Sequence, residues 1–241
     1  MKNYQYGYEW DSSYCYPNSY VLINKLGIKN ADALNLAERE ITSTRYTQLI
    51  VNPVKGNFDL MHLQEIHRYV FQDIYSWAGQ LRTVNIAKGN QFCNCMYIES
   101  GFESIYKKLK KDCFLLKTTS DTICEKLAFY LGEINVVHPF REGNGRAQRV
   151  FIQYLARAAG YSVNFADITA KEMIEASALA FDCDYRKMTE LFQRMTTPIS
   201  AHDQEQFVHS IVERNSPVLA AYKDLVEDQE QADDESPTMR F

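Results

Sequence analysis

The sequence predicts an all-α fold that carries one small β-hairpin, and three observations lead there. Apolar residues recur at helical spacing through most of the chain. The one interruption is short. Thr83-Val84-Asn85-Ile86 alternates polar and apolar, and Lys88-Gly89-Asn90 after it reads as a turn. Composition agrees: of 241 residues, 46% are hydrophobic and 24% charged, the profile of a globular protein with chain enough for one large core and a short appendage.

The elements follow in chain order. Residues 30–44 place Ala33, Leu34, Ala37 and Ile41 on one helical face. Asp59 suits an N-cap before Leu60, Leu63, Ile66, Val70, Ile74 and Trp77. The alternating segment comes next, with Val84 and Ile86 expected to pair with Met96 and Ile98. An isolated hairpin is marginal in water, so it should lean on the helices. Residues 101–116 carry Phe102, Ile105 and Leu109, and residues 122–136 carry Leu127, Ala128, Leu131 and Ile134. A further helix takes Ala147, Val150, Phe151, Tyr154, Leu155 and Ala158 and ends near Gly160. Thr169 and Glu172 have the spacing of a capping box. Residues 186–194 and 202–214 give two more helices, and Ser216-Pro217 resembles a cap followed by a first-turn proline. From Gln229 the chain is acidic without a core pattern and reads as a disordered tail. The expected organisation is therefore a main domain over 1–200, a helical extension over 201–228 and a tail over 229–241.

Composition also excludes function classes. The formal net charge of −5 gives no global attraction to nucleic acid or to an anionic membrane. No apolar run approaches the roughly 20 residues that span a bilayer. The polar, tyrosine-rich first residues lack the apolar segment of a signal peptide, so a cytoplasmic location is expected. Delivery into another cell by a route that needs no such peptide is compatible with the same text. The six cysteines are scattered and complete no zinc set, so they read as reduced thiols. His62 and His67 lack a third ligand and read as packing or surface residues.

One segment carries chemistry: His138-Pro139-Phe140-Arg141-Glu142-Gly143-Asn144-Gly145-Arg146-Ala147-Gln148-Arg149. It lies between two predicted helices and runs into the second. A helix N-terminus offers unpaired N–H groups and a partial positive charge, which suit phosphate. Gly143 and Gly145 let the backbone approach an anion closely. Asn144 has an amide to donate. Arg146 and Arg149, three apart, fall on one face of the first turns and could grip successive phosphates. Glu142 is a carboxylate beside this cradle, and a Mg²⁺ between carboxylate and phosphate resolves their repulsion. His138 supplies a base at neutral pH, and Phe140 an anchor. The set suits phosphoryl or nucleotidyl transfer, without the Gly-x-x-x-x-Gly-Lys-Ser/Thr loop of Walker-type enzymes.

At every defined position the segment resembles the Fic family motif, His-x-Phe-x-(Asp/Glu)-Gly-Asn-Gly-Arg-x-x-Arg. Asn24-Lys25-Leu26-Gly27-Ile28, residues 71–82 (FQDIYSWAGQLR) and Gly160-Tyr161 are also similar to the family, and the likeness covers roughly residues 17–198. It implies a helical bundle with a hairpin flap beside the active site, and transfer of AMP from ATP to a Ser, Thr or Tyr hydroxyl of a target protein. By resemblance, His138 deprotonates that hydroxyl and Glu142 holds Mg²⁺. Asn144 contacts the α-phosphate with Gly143 and Gly145 lining the anion hole, and Arg146 and Arg149 bind the β- and γ-phosphates. Ile86, Ala87, Lys88 and Gly89 correspond to the flap that registers the target's backbone, and Tyr185 lies where relatives contact adenine. The family's self-inhibitory motif, (Ser/Thr)-x-x-x-Glu-(Gly/Asn), is missing: no Glu has Ser or Thr four residues before it. That layout implies a toxin restrained by a small separate antitoxin, acting in a bacterial cytoplasm. The alternatives are a Fic-fold transferase of another phosphate-linked group and an effector that modifies host GTPases. A binding module that only keeps the cradle would need no base, and Arg141, Arg146 and Arg149 are too local a basic patch for direct nucleic-acid binding.

Overall fold

The computed structural model describes residues 13–235. The first twelve residues and the end of the predicted tail, 236–241, lie outside them. In chain order the elements are α1 (Ala31–Val51), α2 (Leu60–Phe71), β1 (Ala87–Lys88), β2 (Asn90–Gln91), α3 (Ile98–Lys111), α4 (Ile123–Val137), α5 (Asn144–Ala158), β3 (Tyr161–Val163), α6 (Ala170–Phe181), α7 (Arg186–Met195), β4 (Thr196–Pro198), α8 (Ala201–Ile211) and α9 (Pro217–Glu235). The fold is the expected helical bundle with a small hairpin.

The centre is the pair α4 and α5, joined by the motif loop. Leu127, Ala128, Ile134, Ala147, Phe151, Ile152 and Leu155 are all fully buried between them and their neighbours. A helix so apolar on several faces must be covered all round. Accordingly α2, α3, α6, α7 and α8 pack about the pair, and α1 lies against α2. Phe207, Val208 and Ile211 of α8 and Val218 of α9 join the same core. The motif loop is thus held at both ends by the two best-buried helices of the molecule.

Helix starts follow the sequence signals. The Asp59 side chain accepts the His62 N–H at 2.8 Å, and Thr169 and Glu172 form both halves of their capping box. Several boundaries differ from expectation. α1 runs to Val51, because no breaker occurs before Asn52-Pro53. α2 stops at Phe71, where the N–H groups of Ile74 and Tyr75 both turn back to the Phe71 carbonyl. Ile74 and Trp77 are buried from the following loop instead of the helix. The hairpin pairs Ala87 with Gln91 and Lys88 with Asn90. Met96 and Ile98 do not take part, since the Asn94 side chain caps a 3₁₀ turn over Cys95–Tyr97 that leads into α3. The antiparallel pair β3 and β4 has no counterpart in the sequence reading. α9 continues to Glu235, so the acidic stretch from Gln229 extends a helix where a disordered tail was expected. Gln, Glu and Ala propagate a helix well, and no breaker is met before Pro237.

Candidate active site

α4 ends on His138, which sits in the left-handed conformation at φ 46°, ψ 62° and turns the chain into the motif loop. Its imidazole is buried and stacks on Phe92 at 3.7 Å between ring centres. Nδ1 lies 3.2 Å from the Asn135 carbonyl, an acceptor, so Nδ1 carries the hydrogen. Nε2 then holds a lone pair, and no group among the described residues pairs with it. Burial pushes the imidazole pKa down to about 3, opposed by the Asn135 contact and reinforced by the charges of Arg82 and Lys88. The ring is therefore neutral at pH 7, with the lone pair on Nε2.

The loop beyond it is closed by its own side chains. Phe140 is buried and stacks on His67 at 3.9 Å. The Asn144 side chain closes the loop on itself: Oδ1 accepts the Phe140 N–H at 2.8 Å and Nδ2 donates to the Phe140 carbonyl at 2.7 Å. Oδ1 and one Nδ2 hydrogen are engaged on the loop, and the second Nδ2 hydrogen remains a donor beside the backbone N–H groups. Gly143 has φ 80°, and a Cβ there would come 2.3 Å from the Phe71 ring, so glycine is required twice over. Among the described residues nothing accepts the N–H groups of Asn144 and Gly145 at the start of α5, where the helix dipole favours an anion.

Glu142 is held through its main chain and its side chain. His67 Nε2 donates to its carbonyl at 2.9 Å, while His67 Nδ1 accepts the Gly79 N–H, also at 2.9 Å. Its Oε1 accepts the Gly143 N–H at 2.9 Å. Burial pushes the carboxyl pKa up, the Gly143 bond and the charges of Arg146 and Arg141 oppose this, and Glu38 adds to it. No group of three or more His, Cys, Asp or Glu gathers here or elsewhere among the described residues.

The two motif arginines diverge. Arg146 turns toward α1, where it pairs with the buried Glu38 carboxylate, lies over the Phe71 ring and approaches Thr42 Oγ1 at 3.4 Å. The other Glu38 oxygen accepts the Tyr75 hydroxyl. Arg146 is thus paired within the chain and is not among the residues lining the cavity that Arg149 reaches. Arg149 lies on the wall of a cavity of about 400 Å³ together with His138, Gly145, Lys88, Gly89 and Asn90. The opposite wall is a stripe of α6: Met173, Ile174, Ser177, Ala178 and Phe181. Spacing of one, four, five and eight residues puts them on one face. This apolar wall was missed in the sequence because the same spacing serves a core-facing helix equally well.

Tyr185 is not on that wall. It packs over Gly132 and Phe129 and donates its hydroxyl to Glu133. Ile86 is 1% exposed, so its side chain anchors the flap. Ala87 and Lys88 form the strand, with Gly89 at the tip at φ 81°. Arg141 is buried, which removes the local basic patch the sequence suggested. The six cysteines are free, and His62 and His67 are buried packing residues. A second, larger cavity of about 620 Å³ reaches Arg149 from the other side, between α1, α5 and α8, and is lined by Tyr46, Tyr154, Arg157, Asp203 and Phe207 among others.

Comparison with known proteins places the motif region within the Fic/DOC family model, which matches residues 57–156. A probable protein adenylyltransferase Fic of Salmonella typhimurium is 38% identical over 183 residues, covering 75% of this chain and 90% of the relative. The protein adenylyltransferase VbhT of Bartonella schoenbuchensis is 35% identical over 202 residues; the match takes in 83% of this chain but only 42% of VbhT. Among solved structures, the Bartonella tribocorum effector BepC with bound AMPPNP superposes with a TM-score of 0.75 at 27% identity, over 78% of this chain and 98% of BepC.

Proposed function

The chain belongs to the Fic/DOC family, and from that premise we propose that it is a protein adenylyltransferase, moving AMP from ATP to a hydroxyl of a target protein. The observation that carries the reading is the buried, neutral His138, whose Nε2 has no partner among the described residues and whose side chain belongs to the lining of the same cavity as Gly145 and Arg149. ATP fits this cavity with its phosphates at the N-terminus of α5, Arg149 on them and the base against the apolar stripe of α6. His138 takes the proton of the attacking hydroxyl, which displaces pyrophosphate from the α-phosphorus. Lys88 and Gly89 flank the same cavity, and the flap edge offers backbone groups to an extended segment of the target.

Mg²⁺ fits the donor set. One buried carboxylate, Glu142, stands beside the cradle with its pKa raised, so a divalent charge would reverse the cost of its ionisation. Magnesium commonly takes one or two carboxylates and completes its shell with phosphates and water. When bound it would neutralise charge on the phosphates, and Glu142 would be its protein ligand.

The test is incubation of the purified chain with α-³²P-ATP and Mg²⁺ in a bacterial lysate beside a His138→Ala control. A labelled band absent from the control supports the reading. Label that survives the substitution contradicts it.

The bacterial cytoplasm is the proposed site of action, and a toxin restrained by a small separate protein the proposed setting. The second cavity supports a partner that places a carboxylate on Arg149 from outside the chain. Expression of the chain alone in bacteria is then expected to arrest growth, and co-expression of the restraining protein to relieve the arrest. Growth unaffected by an active, soluble chain would count against the toxin setting.

A further inference from the structure

Arg82 is buried, and among the described residues no carboxylate pairs with it. Its guanidinium donates only to backbone carbonyls. Nε bonds the His138 carbonyl at 2.8 Å, Nη1 the Val84 carbonyl at 2.7 Å, and Nη2 both the Cys93 carbonyl and, at 3.3 Å, the Val137 carbonyl. Its own N–H donates to the Pro139 carbonyl at 2.9 Å. These acceptors come from three places. Val137 and His138 are the end of α4, where helix carbonyls lack internal partners. Val84 precedes the flap and Cys93 follows it. The flap's return arm also binds directly: the Cys93 N–H donates to Val136 at 3.0 Å, the Phe92 N–H to Ile86 at 3.2 Å, and the Phe92 ring lies on His138.

A buried cation without a counter-ion is costly and is retained only where its hydrogen bonds are well satisfied. A planar guanidinium with five donors can reach several fixed carbonyls at once; an ammonium cannot. We infer that Arg82 is a positioning residue, which locks both arms of the flap to the backbone of His138 so that target register and base are set as one rigid unit. The inference rests on the proposed AMP transfer, in which the flap holds the target and His138 receives its proton. The nucleotide cradle is built on α5 and α6 and takes no hydrogen bond from Arg82, so ATP binding should be spared.

The test compares the wild-type chain, Arg82→Lys and a core control, Leu109→Ala in α3, by amide hydrogen exchange and by transfer kinetics. Arg82→Lys is expected to speed exchange of the Phe92 and Cys93 amides about tenfold or more while α3 and α5 amides keep their rates. It should lower kcat for transfer about tenfold or more with KM for ATP within about twofold. Leu109→Ala should raise exchange broadly and lose activity only with its folded fraction. The inference is overturned if the two flap amides exchange as in wild type, or if they rise only in step with all others. Should the lysine variant not fold, the wild type still decides. A slowly exchanging Arg82 Nε–H with a through-hydrogen-bond coupling to the His138 carbonyl carbon is expected in its NMR spectrum, and absence of that coupling overturns the clamp. Failure of the wild type to transfer AMP would sink the functional reading while leaving the exchange and coupling data to judge Arg82.

Discussion

At the scale of single residues, the site depends on polar groups whose partners have been settled in advance. His138 presents one nitrogen to Asn135 and leaves the other unpaired among the described residues, and Asn144 and His67 hold the loop that follows. Chemistry is therefore confined to few atoms. His138→Ala should lower AMP transfer by about 10² to 10⁴, the usual range for removing a general base, yet leave ATP affinity within about twofold, since the phosphate cradle is backbone of α5. Calorimetric titration with ATP beside a transfer assay checks this. Equal losses in affinity and rate would mean that His138 binds nucleotide and is not the base. The twelve-residue motif was legible at this scale because its residue types carry the chemistry in themselves. What the sequence could not supply was direction. Arg146 and Arg149 look equivalent in the text, yet one meets a buried carboxylate on α1 and the other a cavity.

At the scale of elements, α1 is clasped to α5 through Glu38. Its carboxylate takes Arg146 on one oxygen and the Tyr75 hydroxyl on the other, and Tyr46 of the same helix donates to the Arg146 carbonyl at 2.5 Å. Removing one member of such a buried pair strands the other charge. Glu38→Ala should therefore cost about 3 kcal/mol of stability in urea unfolding. The double substitution Glu38→Leu with Arg146→Met should cost clearly less, because no charge is then left unpaired. A double variant as unstable as the sum of the two single ones would show that the pair does not act as a unit. Glu38 was not legible as a partner, for it lies 108 positions from Arg146 and helical spacing cannot register a contact of that separation. The hairpin was legible as an interruption of helical spacing, but its register was not. The turn at Gly89 demands pairing of immediate neighbours, while Met96 and Ile98 are claimed by the next turn and helix.

At the scale of the whole molecule, three imidazoles are buried without charge. Burial pushes His62 down to about 4 and His67 and His138 to about 3. Each folded pKa lies below the ordinary histidine value of about 6.5, so the unfolded chain binds more protons between those values. Stability from these groups is thus present above pH 6.5 and lost as pH falls toward 4 and then 3. The urea midpoint should already drop between pH 7 and pH 5, where most carboxylates have yet to titrate, by the equivalent of a few kcal/mol. A midpoint unchanged until below pH 5 would show that the imidazoles protonate without unfolding the chain. The fold class was legible because most helices have one apolar face and named caps, and the central pair shows as dense apolar text. The β3–β4 pair was not, since Tyr161–Val163 and Thr196–Pro198 are three residues each and are separated in sequence by α6 and α7. The central claim, AMP transfer through His138, is tested most directly by labelling one target protein in parallel with α-³²P-ATP and γ-³²P-ATP. Label from the α-position alone, lost with His138→Ala, is the expected result. Label from the γ-position would mean that phosphate is transferred in place of AMP and would contradict the claim.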